Sequence, residues 1–560
     1  MTMPSAPAFL AARPVIRRAA IVVLLALAPS VLSAQLTLTH TEDAAPVPVG
    51  MLRVRAVTGW SRIDERFSAT GRRSLDDEIS TDSLGPRQLP LLTPIELGLK
   101  TLTNNPLTRL TLGRLGAVSG ERIVVAPIAF EFGVTRRLSV GLLFPFIQTR
   151  RAVHITVNSD TLKRANMGYL PERLRSGAAQ VNAQVYNAFI KAADSIATLL
   201  SRCPANPLAT GCAAINANAA DASAAQLQAR RYADAVKSAL GTDSASVLIA
   251  PRASSALATA IDAERAATNT RLQKYLGAGA GSSVGVFTSS SDFSYIDLQG
   301  RSPATGLLRS ALGGGLDSIQ TTNRPVLGGV SFGAQYLLMD RFQHDTLPPQ
   351  GLQTRLAVGG MLRFESLRVD SATKLGTVSP SQGSGFELHS ALDFISGNLG
   401  GTIAASFNKS QPRTLDASLI GDPEAFWVIP AFGKVTRTPG AIMSLDVTPR
   451  YLIGDWFAIN GHYGLERTTA TTYQLVEAGA DCVPCNGLGA PFPSIGARTA
   501  QRVGFGIRYT TVEAYQRDQT GFPVEVSLSH LETISGDPGV SKVARDQIQV
   551  RLFFRVRGSK

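Results

Sequence analysis

The first side chains to consider for covalent chemistry are serines, because a serine held on a sharp turn can act as a hydrolase nucleophile. The segment "GVSFG" (329–333) matches the G-x-S-x-G pattern of serine hydrolases. In those enzymes the serine lies between a strand and a helix. Here apolar and polar residues alternate through the motif, so we expect Ser331 inside a strand with no helix after it. The match therefore does not predict a nucleophile.

Metal, cofactor and redox sites are equally unsupported by the sequence. There is no HExxH and no P-loop, and the four cysteines form two close pairs, Cys203/Cys212 and Cys482/Cys485. "CVPC" has the spacing of a redox motif or half a zinc site, but no second CxxC and no βαβ pattern accompany it. In an oxidising compartment each pair most simply closes a small disulfide loop. We predict two disulfides, no metal and no cofactor.

The charged residues follow a second pattern, which is regular. In "QIQVRLFFRVRGSK" at the carboxyl end, Ile548, Val550, Leu552, Phe554 and Val556 alternate with glutamines and arginines. Side chains alternate across a β-strand, so one face is hydrocarbon and the other is nearly all polar. The same alternation recurs along the chain over stretches of about ten residues, which is typical of a transmembrane β-barrel.

Twelve strands are predicted from this alternation. They lie near 51–66, 121–134, 138–157, 326–341, 352–368, 385–395, 398–408, 440–453, 456–474, 500–515, 522–533 and 545–557. Tight or modest connections alternate with longer ones, as in outer-membrane barrels whose short turns face the periplasm. A secreted β-sandwich is the alternative. The predicted fold class is all-β, an antiparallel up-and-down transmembrane barrel of about twelve strands with a helical extracellular insertion.

The polar face of these strands is predicted to line the barrel lumen. Ten arginines against six carboxylates leave an excess of four positive charges (10 − 6 = 4), which favours anions in a pore. A carboxylate pair for hydrolysis is conceivable, but acids that pair with lumenal arginines are the simpler explanation. The pore-lining candidates are Arg53, Arg55, Glu131, Arg355, Arg363, Glu387, His389, Asp393, Asp446, Arg450, His462, Glu466, Arg502, Arg508, Glu525, Arg551, Arg555 and Arg557.

The amino terminus predicts export. Arg13, Arg17 and Arg18 precede a short apolar run, and small residues follow it up to Ala34. This is the layout of a secretory signal peptide over 1–34, which leaves 35–560 as the barrel domain. Its removal lowers the formal charge from +13 to +10 (13 − 3), and no nucleic-acid motif accompanies that charge. No segment after residue 34 has the unbroken run of about 20 apolar residues that a membrane helix requires.

A long insertion, 159–325, interrupts the barrel between the third and fourth predicted strands. Within it, 170–276 is rich in alanine and has apolar residues at helical spacing, so we expect helices outside the cell. The other long connection, 68–120, contains "TPIELGLKTL", with Thr93 as N-cap and Pro94 at the first helical position. This second helix is expected either to enter the lumen or to cover its mouth.

One hairpin resembles a known family. "GVTRRLSVGLLFPF" (133–146) is similar to a G-x-T-x-R-L-x-x-G-x-x-x-P pattern in outer-membrane channel proteins of the phenol-degradation-pathway type. The resemblance covers this hairpin only and implies a porin or a channel for hydrophobic substrates. The outer-membrane phospholipase family, by contrast, carries a serine and a histidine two residues apart on one strand. None of the six histidines here has a serine at that distance. His389 is followed directly by Ser390, which places the two side chains on opposite faces of a strand.

These observations predict an outer-membrane channel, and not an enzyme, for the passive passage of small solutes such as anionic or aromatic acids. The alternative is a barrel scaffold that presents the helical insertion as a binding or adhesion module; a hydrolase is the third candidate. The expected partners are outer-membrane lipid, the barrel-assembly machinery and a small solute, with no nucleic acid. The carboxyl end departs from the usual terminal aromatic residue, because "RVRGSK" follows Phe554.

Overall fold

The computed structural model describes ten stretches of the chain. They are residues 43–89, 92–159, 165–300, 306–310, 321–342, 351–364, 383–418, 432–478, 495–516 and 521–556. The predicted signal peptide, Cys482, Cys485 and Arg557 lie outside these stretches.

Twelve antiparallel strands close into a barrel, because the last strand pairs with the first. Each of the twelve predicted strands is present. In chain order they are β1 (Met51–Ser68), β3 (Leu115–Gly133), β4 (Leu138–Val157), β8 (Val330–Asp340), β9 (Gln353–Phe364), β10 (Gly385–Ser396), β11 (Leu399–Ser410), β14 (Ile442–Ile453), β15 (Phe457–Thr468), β17 (Arg498–Thr510), β18 (Val524–Gly536) and β19 (Ser541–Arg555). Closure gives every strand two neighbours, so the sheet has no edge to expose to lipid.

Seven further strands lie beside or above this ring. They are β2 (Gly71–Ser74), β5 (Met167–Tyr169), β6 (Ile249–Pro251), β7 (Thr322–Leu327), β12 (Arg413–Ser418), β13 (Phe432–Thr438) and β16 (Thr472–Ala478). β7 pairs with the upper part of β4, and β12, β13 and β16 form a separate sheet. The predicted strand 456–474 is therefore wrong in extent, since the chain leaves the barrel after Thr468 and β16 belongs to that separate sheet.

The connections separate the two ends of the barrel. The start of β1, the end of β19 and the turns near 134–137, 397–398 and 454–456 lie at one end, which is the periplasmic end in outer-membrane barrels. The longest connections lie at the other end. One connection at that end is short: the predicted strands 522–533 and 545–557 imply a loop near 534–544, but β18 and β19 run further and leave only Asp537–Val540 between them.

The apolar rows face outward, as the alternation predicts. Phe130, Leu142 and Phe505 are large exposed side chains on this face, at 41%, 41% and 67% exposure. On β19 the two faces are distinct, because Ile548 and Phe554 are exposed whereas Gln549 and Arg551 are buried. Aromatic residues lie near the ends of the apolar rows, namely Trp60, Tyr336, Tyr451, Trp456 and Tyr509. The barrel wall thus presents hydrocarbon to the membrane and polar groups to the lumen.

Eight helices are found within the described residues, most of them in the predicted insertion. They are α1 (Leu75–Ile79), α2 (Thr93–Leu102), α3 (Glu172–Arg202), α4 (Cys212–Ala217), α5 (Ala219–Leu240), α6 (Ala256–Leu276), α7 (Tyr295–Gln299) and α8 (Val512–Gln516). "CPANPLATGC" separates α3 from α4, and a disulfide joins Cys203 to Cys212. Among these helices, none has the length and apolarity that a membrane crossing requires.

The two long connections form one helical domain with its own core. Phe189, Tyr232 and Leu272 are buried in this core, and Leu99 of α2 is buried with them. α2 begins at Thr93 itself rather than after it, with Pro94 in its first turn. The helix packs closely on α5, since a Cβ at Gly98 would lie 2.6 Å from the Cβ of Ala239.

The helical domain lies over the mouth of the barrel. Leu115 and Ile155, at the upper ends of β3 and β4, are buried in the same core, with Ala117 and Val157 packed against it. These residues lie on the face of the hairpin that continues the lumenal face below. The insertion and α2 therefore share one core that packs against the inner face of this hairpin at the long-connection end.

Candidate functional site

A short segment before the first strand lies inside the barrel. Residues 43–49, called here the N-terminal segment, include Ala44 and Val47, which have no exposed surface. Ala44 donates its backbone N–H to the Asp393 carboxylate at 3.0 Å, and Val47 donates its own to Ser139 Oγ at 2.9 Å. Gln335 Nε2 donates to the backbone oxygen of Asp43 at 3.2 Å. The segment is thus held by side chains from three strands of the wall.

Asp43 joins two lumenal arginines. Its Oδ2 lies 2.6 Å from Nη1 of Arg551, and its Oδ1 lies 4.0 Å from Nη1 of Arg53. Arg53 also pairs with Glu131, and Arg551 Nη1 lies 3.1 Å from Glu525 Oε1. The three carboxylates and two guanidiniums are each at most 12% exposed as side chains, so they form one buried network at the periplasmic end of the lumen.

Asp393 of β10 binds the N-terminal segment from the side of the barrel opposite Arg551. Its side chain is fully buried and accepts hydrogen bonds from Arg355 Nη2 at 3.0 Å and Thr402 Oγ1 at 2.7 Å, besides the Ala44 N–H. Arg450 Nη2 lies 4.0 Å away. A buried carboxylate is costly unless several donors satisfy it. Asp393 meets this condition with donors from β9, β11 and the N-terminal segment.

A second polar cluster lies higher in the lumen, around Glu387. Asn408 Nδ2 donates to Glu387 Oε2 at 3.3 Å, and His389 Nδ1 lies 3.7 Å from Glu387 Oε1. Arg363 Nη2 donates to Asn408 Oδ1 at 3.2 Å. The His389 ring has room because residue 359 is glycine, where a Cβ would lie 2.1 Å from Nε2.

On the far side of the lumen, ion pairs join neighbouring strands. Arg502 Nη2 lies 2.7 Å from Glu466 Oε2, and His462 Nε2 lies 3.2 Å from Asp446 Oδ1. Arg508 pairs with Glu525. The predicted pairing of lumenal acids with arginines is therefore present at several heights, and it binds adjacent strands together.

Two small cavities lie between inward-facing side chains of the described strands. A cavity of about 20 Å³ is bounded by Arg53, Glu131 and His389, and another of about 30 Å³ by Arg502 and Arg545. A volume of this order holds one or two water molecules. The first cavity adjoins Ser139 and Gln335, which bind the N-terminal segment, whereas the second lies higher, against Ser61 and Ile63 of β1.

The described residues show no arrangement for metal or nucleophilic chemistry. No group of three His, Cys, Asp or Glu side chains in these stretches is placed to hold a metal ion. Ser331 lies inside β8, on its buried face, where strand pairing continues on both sides.

Most of the eighteen predicted pore-lining residues lie on the inward face of the barrel wall. Arg555 is exposed at the end of β19, Arg557 lies outside the described stretches, and the remaining sixteen lie on the inward face. Sequence reasoning missed Asp43 because the N-terminal segment has no alternation. It also left out Arg545, although Arg545 is the first residue of the predicted strand 545–557 and faces the same way as Arg551. Asp43 lies only eight residues before β1, and this closeness in sequence was the one indication that it could lie near the lumen. The role of these residues in solute passage stays a prediction.

Comparison with known proteins gives distant structural likeness and nothing more. No family model matches the sequence, and a search of curated proteins finds no match. An outer-membrane channel from Pseudomonas putida F1 superposes at TM-score 0.36 with 7% identity, covering 92% of this chain and 100% of the other. The Pseudomonas putida toluene transporter TodX gives 0.23 with 10% identity, covering 94% and 95%. The transport unit of the autotransporter AIDA-I from Escherichia coli gives 0.28 with 5% identity, covering 96% and 98%.

The class of protein follows from the chain's own strands. A closed antiparallel barrel with an apolar outer face, a polar lumen and short turns at one end is the architecture of bacterial outer-membrane proteins. Helices and closed barrels are the structures that satisfy every backbone group in hydrocarbon, and this wall is a closed barrel. The protein is therefore an outer-membrane β-barrel.

Proposed function

We propose that the protein is a passive channel for small solutes and that the N-terminal segment blocks its periplasmic exit. The observation that carries the proposal is the enclosure of Ala44 and Val47 in the lumen, between the small apolar cluster Leu337, Ala357 and Ala391 and the ion-paired side chains around Asp43. A scaffold barrel has no need to keep a removable segment among buried charges. A channel does, because such a segment can close it.

The way in which the segment is held supports its release. Ala44 packs on Leu337, Ala357 and Ala391, and the other contacts of the segment are side-chain hydrogen bonds and ion pairs. Within the described stretches, its backbone pairs with the wall through the bridge between Val49 and Gly133. A neutral hydrogen bond of this kind contributes about 1 kcal/mol net and one to a charged group about 1.5–3 kcal/mol, since water replaces either on withdrawal. Segments held by few contacts open locally at a small fraction of the global unfolding free energy. Withdrawal would leave the strand pairing of the barrel intact.

The charge of the emptied exit bears on the solute. When Asp43 withdraws, the wall keeps three carboxylates, Glu131, Asp393 and Glu525, at this height. Five arginines accompany them, namely Arg53, Arg355, Arg450, Arg508 and Arg551. Positively charged rings favour anions in pores. We infer that small acids, including aromatic acids, are the preferred solutes.

The first experiment is conductance in planar bilayers with Asp43→Asn. The variant keeps a polar side chain but loses the charge that pairs with Arg551, so we expect the open fraction to rise about tenfold or more, since a hydrogen bond to a charged group contributes about 1.5–3 kcal/mol. Asp194→Asn, which removes an exposed ion pair with Arg230 on a helix, is the matched control and should behave as the natural protein. A reversal potential that shows anion preference would support the solute class. Equal conductance of the two variants would contradict the closing role of the segment.

A second function is favoured by one observation, the separate core of the helical domain. We propose that signal peptide 1–34 is removed and that insertion 159–325 lies outside the cell, where it could dock a partner or adhere to a surface. The domain stands at the long-connection end and carries its own disulfide. Absence of conductance from both the natural protein and Asp43→Asn would favour this scaffold function over the channel.

A further inference from the structure

Three arginines stand side by side on the outward face of the barrel. Arg62 of β1 pairs in register with Arg122 of β3, and Arg122 pairs in register with Arg150 of β4. All three side chains are exposed. Directly opposed residues in a sheet have Cβ atoms about 4.5–5.5 Å apart, so like charges at such positions repel one another. A bound anion would offset this repulsion.

The row lies at the upper border of the apolar band. On β1 the outward residues from Leu52 run up to Trp60, and Arg62 is the next outward position. On β3 the corresponding residues run from Phe132 to Val124, and Arg122 follows. Tryptophan is enriched at the height of lipid headgroups. The three guanidiniums therefore stand at headgroup height, at the end opposite the short turns, which is the outer leaflet.

The charge of the row is mostly free to bind an anion. Asp64 pairs with Arg62, whereas Arg122 and Arg150 have no carboxylate partner in the described part of the chain. Gly120 and Ala152, the next outward residues on β3 and β4, have little or no side chain, and a cleft of about 210 Å³ opens above the arginines. Two carboxylates also line the cleft, Asp64 and the buried Glu121, so the three guanidiniums leave an excess of one positive charge (3 − 2) around it.

We propose that the cleft bounded by Arg62, Arg122 and Arg150 binds the phosphorylated headgroup of an outer-leaflet glycolipid. Arginine presents planar, forked donors that match phosphate oxygens in pairs. The acyl chains of such a lipid would lie along the apolar rows directly below, on Val124, Trp60 and their neighbours. Headgroup and chains are thus matched by two adjoining surfaces of one wall.

The test uses the full-length refolded protein in detergent, with lipid A as the bis-phosphorylated probe and dephosphorylated lipid A as its counterpart. Bound lipid is counted by native mass spectrometry during titration. The test variant is Arg122→Gln with Arg150→Gln. Its matched control is Arg136→Gln with Arg137→Gln, which removes two exposed arginines from the other end of the same hairpin. Arg122→Lys with Arg150→Lys keeps the charge while removing the fork.

The expected result is at least a tenfold loss of lipid A affinity for the glutamine test pair, a smaller loss for the lysine pair and none for the control pair. Dephosphorylated lipid A should bind the natural protein as weakly as lipid A binds the glutamine pair. Equal affinity for the two lipids, or an equal loss in both glutamine pairs, would overturn the proposal. A second outcome would also overturn the proposal. If the natural protein were a dimer and the test pair a monomer with the same amount of bound lipid, the row would be a contact between copies of the chain.

Discussion

An arginine placed on the outward face of β19 should cost stability according to its depth in the membrane. From Leu52 to Trp60 the outward row of β1 spans eight residues, or about 27 Å along the strand at about 3.4 Å per residue. With a strand tilt of about 40°, this corresponds to about 21 Å across the membrane, close to the apolar band of about 25 Å in such barrels. Ala56 is the midpoint of the row, and its partner on β19 is Val550.

Val550→Arg should therefore destabilise the barrel by about 2–4 kcal/mol, the cost of an arginine at the bilayer midplane. Phe554 faces the same way but pairs with Leu52, at the lower border of the band. Phe554→Arg should cost only about 0–1 kcal/mol, because the charge reaches the interface. The assay is reversible unfolding in guanidinium chloride with phospholipid vesicles, comparing midpoints at equal slopes. If Phe554→Arg were as destabilising as Val550→Arg, either the outward face or the position of the membrane on it would be wrong.

Three further predictions concern the loops and the helical domain. Peptide mapping without reduction should find Cys203 bonded to Cys212 and Cys482 to Cys485; opening the first, a loop of about ten residues, should cost about 2–3 kcal/mol, measured by thermal unfolding with and without reductant. Protease added to intact cells should cut within 170–276 and leave a protected core, whereas cutting only in permeabilised cells would invert the topology. Burial alone would raise the pKa of Glu96, but a hydrogen bond from the Leu110 N–H and pairing with Lys100 and Arg109 lower it below its usual range. The stabilisation from ionised Glu96 is thus present above the unfolded pKa of about 4.3 and lost as pH falls through the folded value. Glu96→Gln should reduce the fall in unfolding free energy measured as the pH is lowered through this range. An unchanged fall would contradict the assignment.

The barrel could be predicted from the sequence because its wall has one simple rule. Each strand has lipid on one side and polar lumen on the other, so the period-2 pattern is imposed along almost its whole length. The rule fails where this environment changes. β16 continues the alternation of β15 into another sheet, and β18 and β19 extend above the membrane, where polar residues on the outward face hide the pattern.

The candidate site was predicted only in part, for a different reason. Arg551 and Glu525 are found by alternation because they lie on strands. Asp43, which joins Arg551 to Arg53, lies on an irregular segment whose position is set by tertiary contacts alone. The row Arg62, Arg122 and Arg150 was missed because it depends on register between strands, and single-strand patterns do not contain register.

The closing of the channel by the N-terminal segment can be tested by locking the segment in place. Val47 donates its backbone N–H to the Ser139 side chain, so cysteines at these two positions, Val47→Cys and Ser139→Cys, should form a disulfide between segment and wall. Conductance in planar bilayers is measured for the oxidised double variant, for the same sample after reduction and for the natural protein with and without reductant. We predict that the oxidised variant conducts at least tenfold less than the reduced one, while reductant leaves the natural protein unchanged. Equal conductance of the locked and reduced forms would contradict the account, because solutes would then cross the barrel with the segment in its lumen.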